Sequence, residues 1–134
     1  MLYSEAYIRE LFDYACTRIK LQDDYGAILE GSIAEGFGNA SSDVDFLVVT
    51  PKHENRELMP LIVFHDGRRI EVRFRSAVTL AEQLEAFKTY LDVSDRKIEQ
   101  IPEDTLNRLQ RFLNCMPLRN EPLRRIITLP FRED

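Results

Sequence analysis

Apolar side chains at Ala6, Ile8, Leu11, Phe12, Ala15 and Ile19 recur close to the i, i+3, i+4, i+7 spacing of an amphipathic helix. Residues 5–20 are therefore predicted helical, with Ser4 as N-cap. After the turn-forming stretch 22–26, the short apolar run Ala27-Ile28-Leu29-Glu30 reads as a buried strand that stops at Gly31-Ser32. Residues 33–42 begin as a short helix and break at Gly36, Gly38 and Asn39. Residues 43–50 are polar at their entry and apolar along their length, a second strand closed by Pro51.

Two further strand-like runs, 58–65 and 69–75, flank Asp66-Gly67, the dipeptide suited to a type I′ hairpin turn. In the second arm Ile70, Val72 and Phe74 alternate with Glu71, Arg73 and Arg75, so one face is apolar and Glu71 lies on the charged one. Leu80, Leu84, Phe87 and Leu91 form the stripe of a helix over 79–91, with Thr79 as its expected N-cap. Pro102 opens another helix predicted to run over about 103–115. The proline-containing tail carries a short element at 123–129, and no internal repeat is visible.

These elements predict an α/β (α+β) domain: a short mixed, mostly antiparallel sheet of three or four strands flanked by helices. One domain over 1–134 is expected, with a motif region at 25–75, a helical part at 79–116 and room for an acceptor-binding domain beyond 134. The 134 residues are 44% hydrophobic and 31% charged, the balance of a globular chain. No apolar run approaches the ~20 residues of a membrane span, and the N-terminus has no signal-peptide pattern, so a cytoplasmic protein is expected. Cys16 and Cys115 have neither disulfide-framework nor zinc spacing. A net charge of -5 disfavours non-specific binding to nucleic acid, leaving Arg68, Arg69, Arg73 and Arg75 as a local basic patch.

The chemistry concentrates at Gly31-Ser32, Asp43-Val44-Asp45 and Glu71. Residues i and i+2 of a strand project from one face with Cα atoms about 6.6 Å apart, so Asp43 and Asp45 can converge on hard cations while Val44 enters the core. Glu71, from another strand, is the third carboxylate, either as metal ligand or as general base. A Gly-Ser strand-to-helix turn lets backbone N–H groups approach a phosphate, and the Ser32 hydroxyl adds a donor. A lone Asp-x-Asp is more often a strand entry with a solvent-facing residue, and a lone Glu71 an exposed partner for Arg73 or Arg75; their combination with Gly-Ser alters that balance. Gly36-Phe37-Gly38 lacks the third glycine of a dinucleotide fingerprint. His53 and His65 have no paired ligand at metal spacing and read as surface histidines.

The arrangement resembles the DNA polymerase beta-type nucleotidyltransferase superfamily, in which a hydrophobic residue and Gly-Ser are followed, after about ten residues, by Asp-hydrophobic-Asp. Gly36 and Ser42 match the fuller form found in minimal nucleotidyltransferases, and the resemblance spans 28–74. It implies that Asp43, Asp45 and Glu71 bind magnesium, as two ions with manganese as substitute. It also implies that Gly31 and Ser32 hold the phosphates of ATP or another triphosphate, with Ser42 and the steering charge of Arg73 beside them. Such enzymes transfer a nucleoside monophosphate to an acceptor hydroxyl and release pyrophosphate. The acidic balance favours a small-molecule acceptor. Alternatives are a protein- or tRNA-modifying toxin–antitoxin-type enzyme and a nucleotide-binding or interaction module without turnover, with a helical partner or a homodimer. Two departures stand out: Glu35 lies where many small members are basic, and Glu71 replaces the commoner Asp.

Overall fold

A computed structural model describes residues 3–36, 38–39, 41–91 and 115–119. Helix α1 spans Glu5–Cys16, and the Ser4 hydroxyl caps it by accepting the Tyr7 N–H at 3.1 Å. It ends four residues earlier than its apolar periodicity predicts, because Thr17 folds back. The Thr17 hydroxyl donates to the Tyr14 carbonyl at 2.6 Å, and its N–H reaches the same oxygen at 3.0 Å.

Strands β1 (Gly26–Glu30), β2 (Val44–Thr50), β3 (Leu61–His65), β4 (Arg68–Ser76) and β5 (Met116–Arg119) form one sheet in the order β3-β4-β2-β1-β5. Antiparallel pairs join β1 to β2, β1 to β5 and β3 to β4, whereas β2 and β4 run parallel. The mixed, mostly antiparallel character agrees with the pattern reading, but the described residues supply five strands rather than three or four. β5 is the added one, at a position read as the end of a helix and the start of an irregular tail. The hairpin turn is as predicted: Asp66 and Gly67 adopt φ of 55° and 73°, the paired left-handed conformation that type I′ requires.

Short helix α2 (Ser32–Glu35) follows β1, a 3-10 turn (Asn55–Leu58) precedes β3, and α3 (Ala77–Leu91) follows β4 without a loop. The strand expected from residue 58 therefore starts at Leu61. Ser76, not Thr79, caps α3: its hydroxyl accepts the Thr79 N–H at 3.1 Å. The helix expected over 103–115 falls, but for Cys115, outside the described residues, as does the element at 123–129. No described helix is long and apolar enough to cross a membrane.

Strand alternation gives the sheet two unlike faces. Leu29, Val44, Phe46, Val48, Ile70, Val72 and Phe74 join Ile8, Leu11, Phe12 and Ala15 of α1 in the main core. Phe12 meets Phe46 edge-on with ring centroids 5.1 Å apart, a favoured aromatic geometry. On the other face Ile28, Leu47 and Val49 are fully buried, and Ala77, Leu80 and Leu84 are buried positions of α3. On that second face β2 is apolar toward its C-terminal end, beside Arg73 and Arg75 of β4, and acidic toward its entry.

Candidate active site

β1 ends in Glu30 and the chain reverses at Gly31, whose φ of 85° and ψ of -167° lie in a region open essentially to glycine alone. Ser32 then begins α2, which no side chain caps at its N-terminus. The loop returns across α2, where the Gly38 N–H donates to the Ser32 carbonyl at 3.0 Å. A Cβ on Gly38 would stand 2.6 Å from Cγ1 of Ile33 and 2.9 Å from its Cα, so the crossing needs a bare backbone. Asn39 and Ser42 lock the approach to β2. The Ser42 hydroxyl accepts the Asn39 N–H at 3.0 Å, and the Asn39 side-chain carbonyl accepts the Ser41 N–H at 2.8 Å. The Ser42 side chain thus has a structural task.

Asp43 stands immediately before β2 and Asp45 is its second residue, with Val44 fully buried between them. Asp45 is in register with Glu30 of β1 on one side and Glu71 of β4 on the other. Directly paired residues share a sheet face, and neighbouring strands lie about 4.8 Å apart. Three acids therefore form a row across β1, β2 and β4, and Asp43 adds a fourth beyond Asp45.

Arginines accompany the outer members. Arg69 Nη1 lies 2.5 Å from Oδ2 of Asp43, and both side chains are about two-fifths exposed, at 41% and 42%. Arg73 Nη2 lies 3.2 Å from Oε1 of Glu71. Arg73 is thus directed at a carboxylate, one of the pairings that the strand alternation offers. Glu30 is only 3% exposed. Sequence reasoning passed over Glu30, which sits in an apolar run, and over Arg69 as the partner of Asp43. Strand register was the missing signal for both.

Four carboxylates are hard oxygen donors of the kind divalent magnesium prefers, so the donor chemistry and the shared face fit that ion. As the side chains stand, no group of three or more His, Cys, Asp or Glu residues among those described is gathered closely enough to hold a metal. Asp43 and Glu71 are turned to arginines instead, and a cation would have to draw them away.

The histidines lie elsewhere. His53 faces Glu57 at 3.1 Å and the Ser76 hydroxyl at 3.1 Å, and His65 stacks on Tyr14 with centroids 4.1 Å apart. Cys16 and Cys115 are partly buried thiols outside any disulfide, and burial pushes Cys16 up to about 11. None of these belongs to the acidic row.

A search of curated proteins finds no match to this chain. A family model described as a nucleotidyltransferase domain matches residues 8–128, a span that takes in most of α1, the Gly31-Ser32 turn, the acidic row and β5. The five-stranded mixed sheet agrees with that fold, and the chain belongs to the nucleotidyltransferase domain family of the DNA polymerase beta-type superfamily.

Proposed function

We propose that this chain is a metal-dependent nucleotidyltransferase that moves a nucleoside monophosphate from a triphosphate to a hydroxyl of a small-molecule acceptor. The observation that carries the reading is the register of Asp45 with Glu71, with Asp43 two residues upstream and the Gly31-Ser32 turn at the end of the adjoining strand. In the reaction, the acceptor oxygen attacks the α-phosphorus, the bond from that phosphorus to the pyrophosphate oxygen breaks, and the hydroxyl proton passes to a carboxylate. Glu71 on β4, beside Asp45, would take it where it is not itself a ligand of the cation.

Asp43, Asp45 and Glu71 would hold the cation, which supplies charge neutralisation at the attacking and leaving oxygens. The Gly31-Ser32 backbone and hydroxyl would bind phosphate oxygens. Ser42 supports the loop that delivers Asp43, and Arg73 would exchange Glu71 for the triphosphate. A net charge of -5 supports a small acceptor over a long nucleic acid. A second reading, a nucleotide-binding module without turnover, is favoured by the pairing of Asp43 with Arg69 and of Glu71 with Arg73.

Calorimetric titration of the four nucleoside triphosphates with magnesium, on the native chain and on Asp43→Asn/Asp45→Asn, tests the site. Magnesium-dependent binding that disappears in the double variant is expected, followed by pyrophosphate release once an acceptor is supplied. Binding without turnover across an acceptor screen would favour the second reading. Folded native protein that binds no triphosphate would overturn both.

A further inference from the structure

A cavity of about 460 Å³ opens between the chain leaving α1, the 3-10 turn and the start of β3. Ile19, Met59, Leu61 and Phe74 give it apolar walls, and Arg18 and Lys20 stand at it. Leu61 and Phe74 belong to the sheet face that packs against α1. Asp45 and Glu71, on the opposite face, are separated from the cavity by the sheet itself. It lies outside the acidic row proposed for the transfer reaction.

Its charges are unevenly spent. The Arg56 guanidinium, also at the cavity, is bound to the Glu54 carboxylate, donates to the Lys20 carbonyl at 2.9 Å and lies 4.5 Å from the centre of the Phe74 ring. Glu54 also accepts the Tyr25 hydroxyl, while Glu57 accepts the N–H groups of Ser76 and Glu54. The acids of this corner are thus engaged. Arg18 rests on Tyr14, with its guanidinium 5.8 Å from the ring centroid, and Lys20 is exposed. Neither has a carboxylate partner among the described residues.

We propose that this cavity is a second ligand site, for a small amphiphilic anion: a compact apolar body carrying one carboxylate, phosphate or sulfonate. The volume lies within the ~300–1,000 Å³ typical of small-molecule sites. Apolar walls reward burial of the body, and Lys20 and Arg18 provide charge-assisted donors for the head. A cationic ligand would meet both of them repulsively, and a neutral one would leave them without a counter-charge.

Isothermal titration with octanoate, octanol and octylammonium, each below its aggregation threshold, tests this on the native chain and on Lys20→Glu. Lys52→Glu serves as control, because it makes the same change in net charge at an exposed lysine that does not line the cavity. Saturable one-to-one octanoate binding is expected, with octanol about 10-fold weaker, the equivalent of one charge-assisted hydrogen bond. Octylammonium should not bind. Lys20→Glu should cost octanoate about 10-fold and leave octanol unchanged, which also shows that the cavity is intact, while Lys52→Glu should bind as the native chain does.

Equal affinity for octanoate and octanol, equal losses in the two charge variants, or no saturable binding by the folded native chain would each overturn the proposal. So would binding confined to vesicles of anionic phospholipid, which would make the cavity part of a membrane-facing surface.

Discussion

Arg69 and Asp43 form an ion pair at the edge of the acidic row, and its strength decides whether it impedes a cation. Both side chains are about two-fifths exposed, so water screens the pair and its net worth is ~0.2–1 kcal/mol. Removing the arginine should therefore help a metal only modestly. Arg69→Ala is expected to bind manganese alone about 1.5- to 5-fold more tightly, measured from free-ion electron paramagnetic resonance. Unchanged affinity would show that Asp43 is not a ligand. Gly31 makes the opposite kind of demand, since its φ of 85° and ψ of -167° exclude a side chain. Gly31→Ala should lose about 1–3 kcal/mol of stability in denaturant titrations and weaken triphosphate binding, because the turn must re-form around a Cβ. Sequence singled out Gly31, Asp43 and Asp45 through the local Gly-Ser and Asp-x-Asp spacing, and Glu71 only through the order of strands in the resemblance. Glu30 and Arg69 were illegible because only pairing between β1, β2 and β4 brings them to the row.

The junction of β4 and α3 shows how elements share a residue. Ser76 closes the strand, caps the helix through its hydroxyl and donates its N–H to Glu57 of the 3-10 turn. Ser76→Ala should remove the cap and cost about 1 kcal/mol, seen as a fall of about 4 °C in the melting temperature. Thr79→Ala should cost less, because the Thr79 N–H remains capped. Local sequence could not choose between the two hydroxyls, since Ser76 also completes the alternation of β4. β5 was hidden for a related reason. Pro117 argues against a strand, but β5 is an edge paired only with β1, where a missing N–H can face away from the ladder. A register shift between Ala27 and Ile28 accompanies it. The alternation of β4 and the Asp66-Gly67 turn that joins it to β3 needed no such tertiary knowledge.

At the scale of the molecule, polar clamps tie the 3-10 turn to both sheet and helix, and they set how stability responds to pH. Burial raises the Glu54 carboxyl, but hydrogen bonds from Arg56 and Tyr25 outweigh it and leave the group below its ordinary value. Burial likewise raises Glu57, and the Ser76 and Glu54 N–H groups with His53 bring it below its ordinary value. A depressed folded-state pKa means that the unfolded chain takes up protons first. The stabilisation is therefore complete above the ordinary glutamate range and is lost as pH falls through the depressed values. The Tyr25 hydroxyl is raised by its hydrogen bond to Glu54, and the Cys16 thiol by burial to about 11. Their stabilisation is present below the ordinary tyrosine and cysteine ranges and fades as pH rises through the raised values. Melting temperatures measured across pH should thus form a plateau with an acid limb and an alkaline limb. Glu54→Gln removes the charge that both Arg56 and Tyr25 use, so it should lower the plateau by about 2 kcal/mol and flatten the acid limb. It should also move the Tyr25 titration, followed by ultraviolet absorbance, back toward that of a free tyrosine. An unaltered acid limb in that variant would place the acid sensitivity in Glu57, the other lowered carboxylate of this corner, with Glu57→Gln the next replacement.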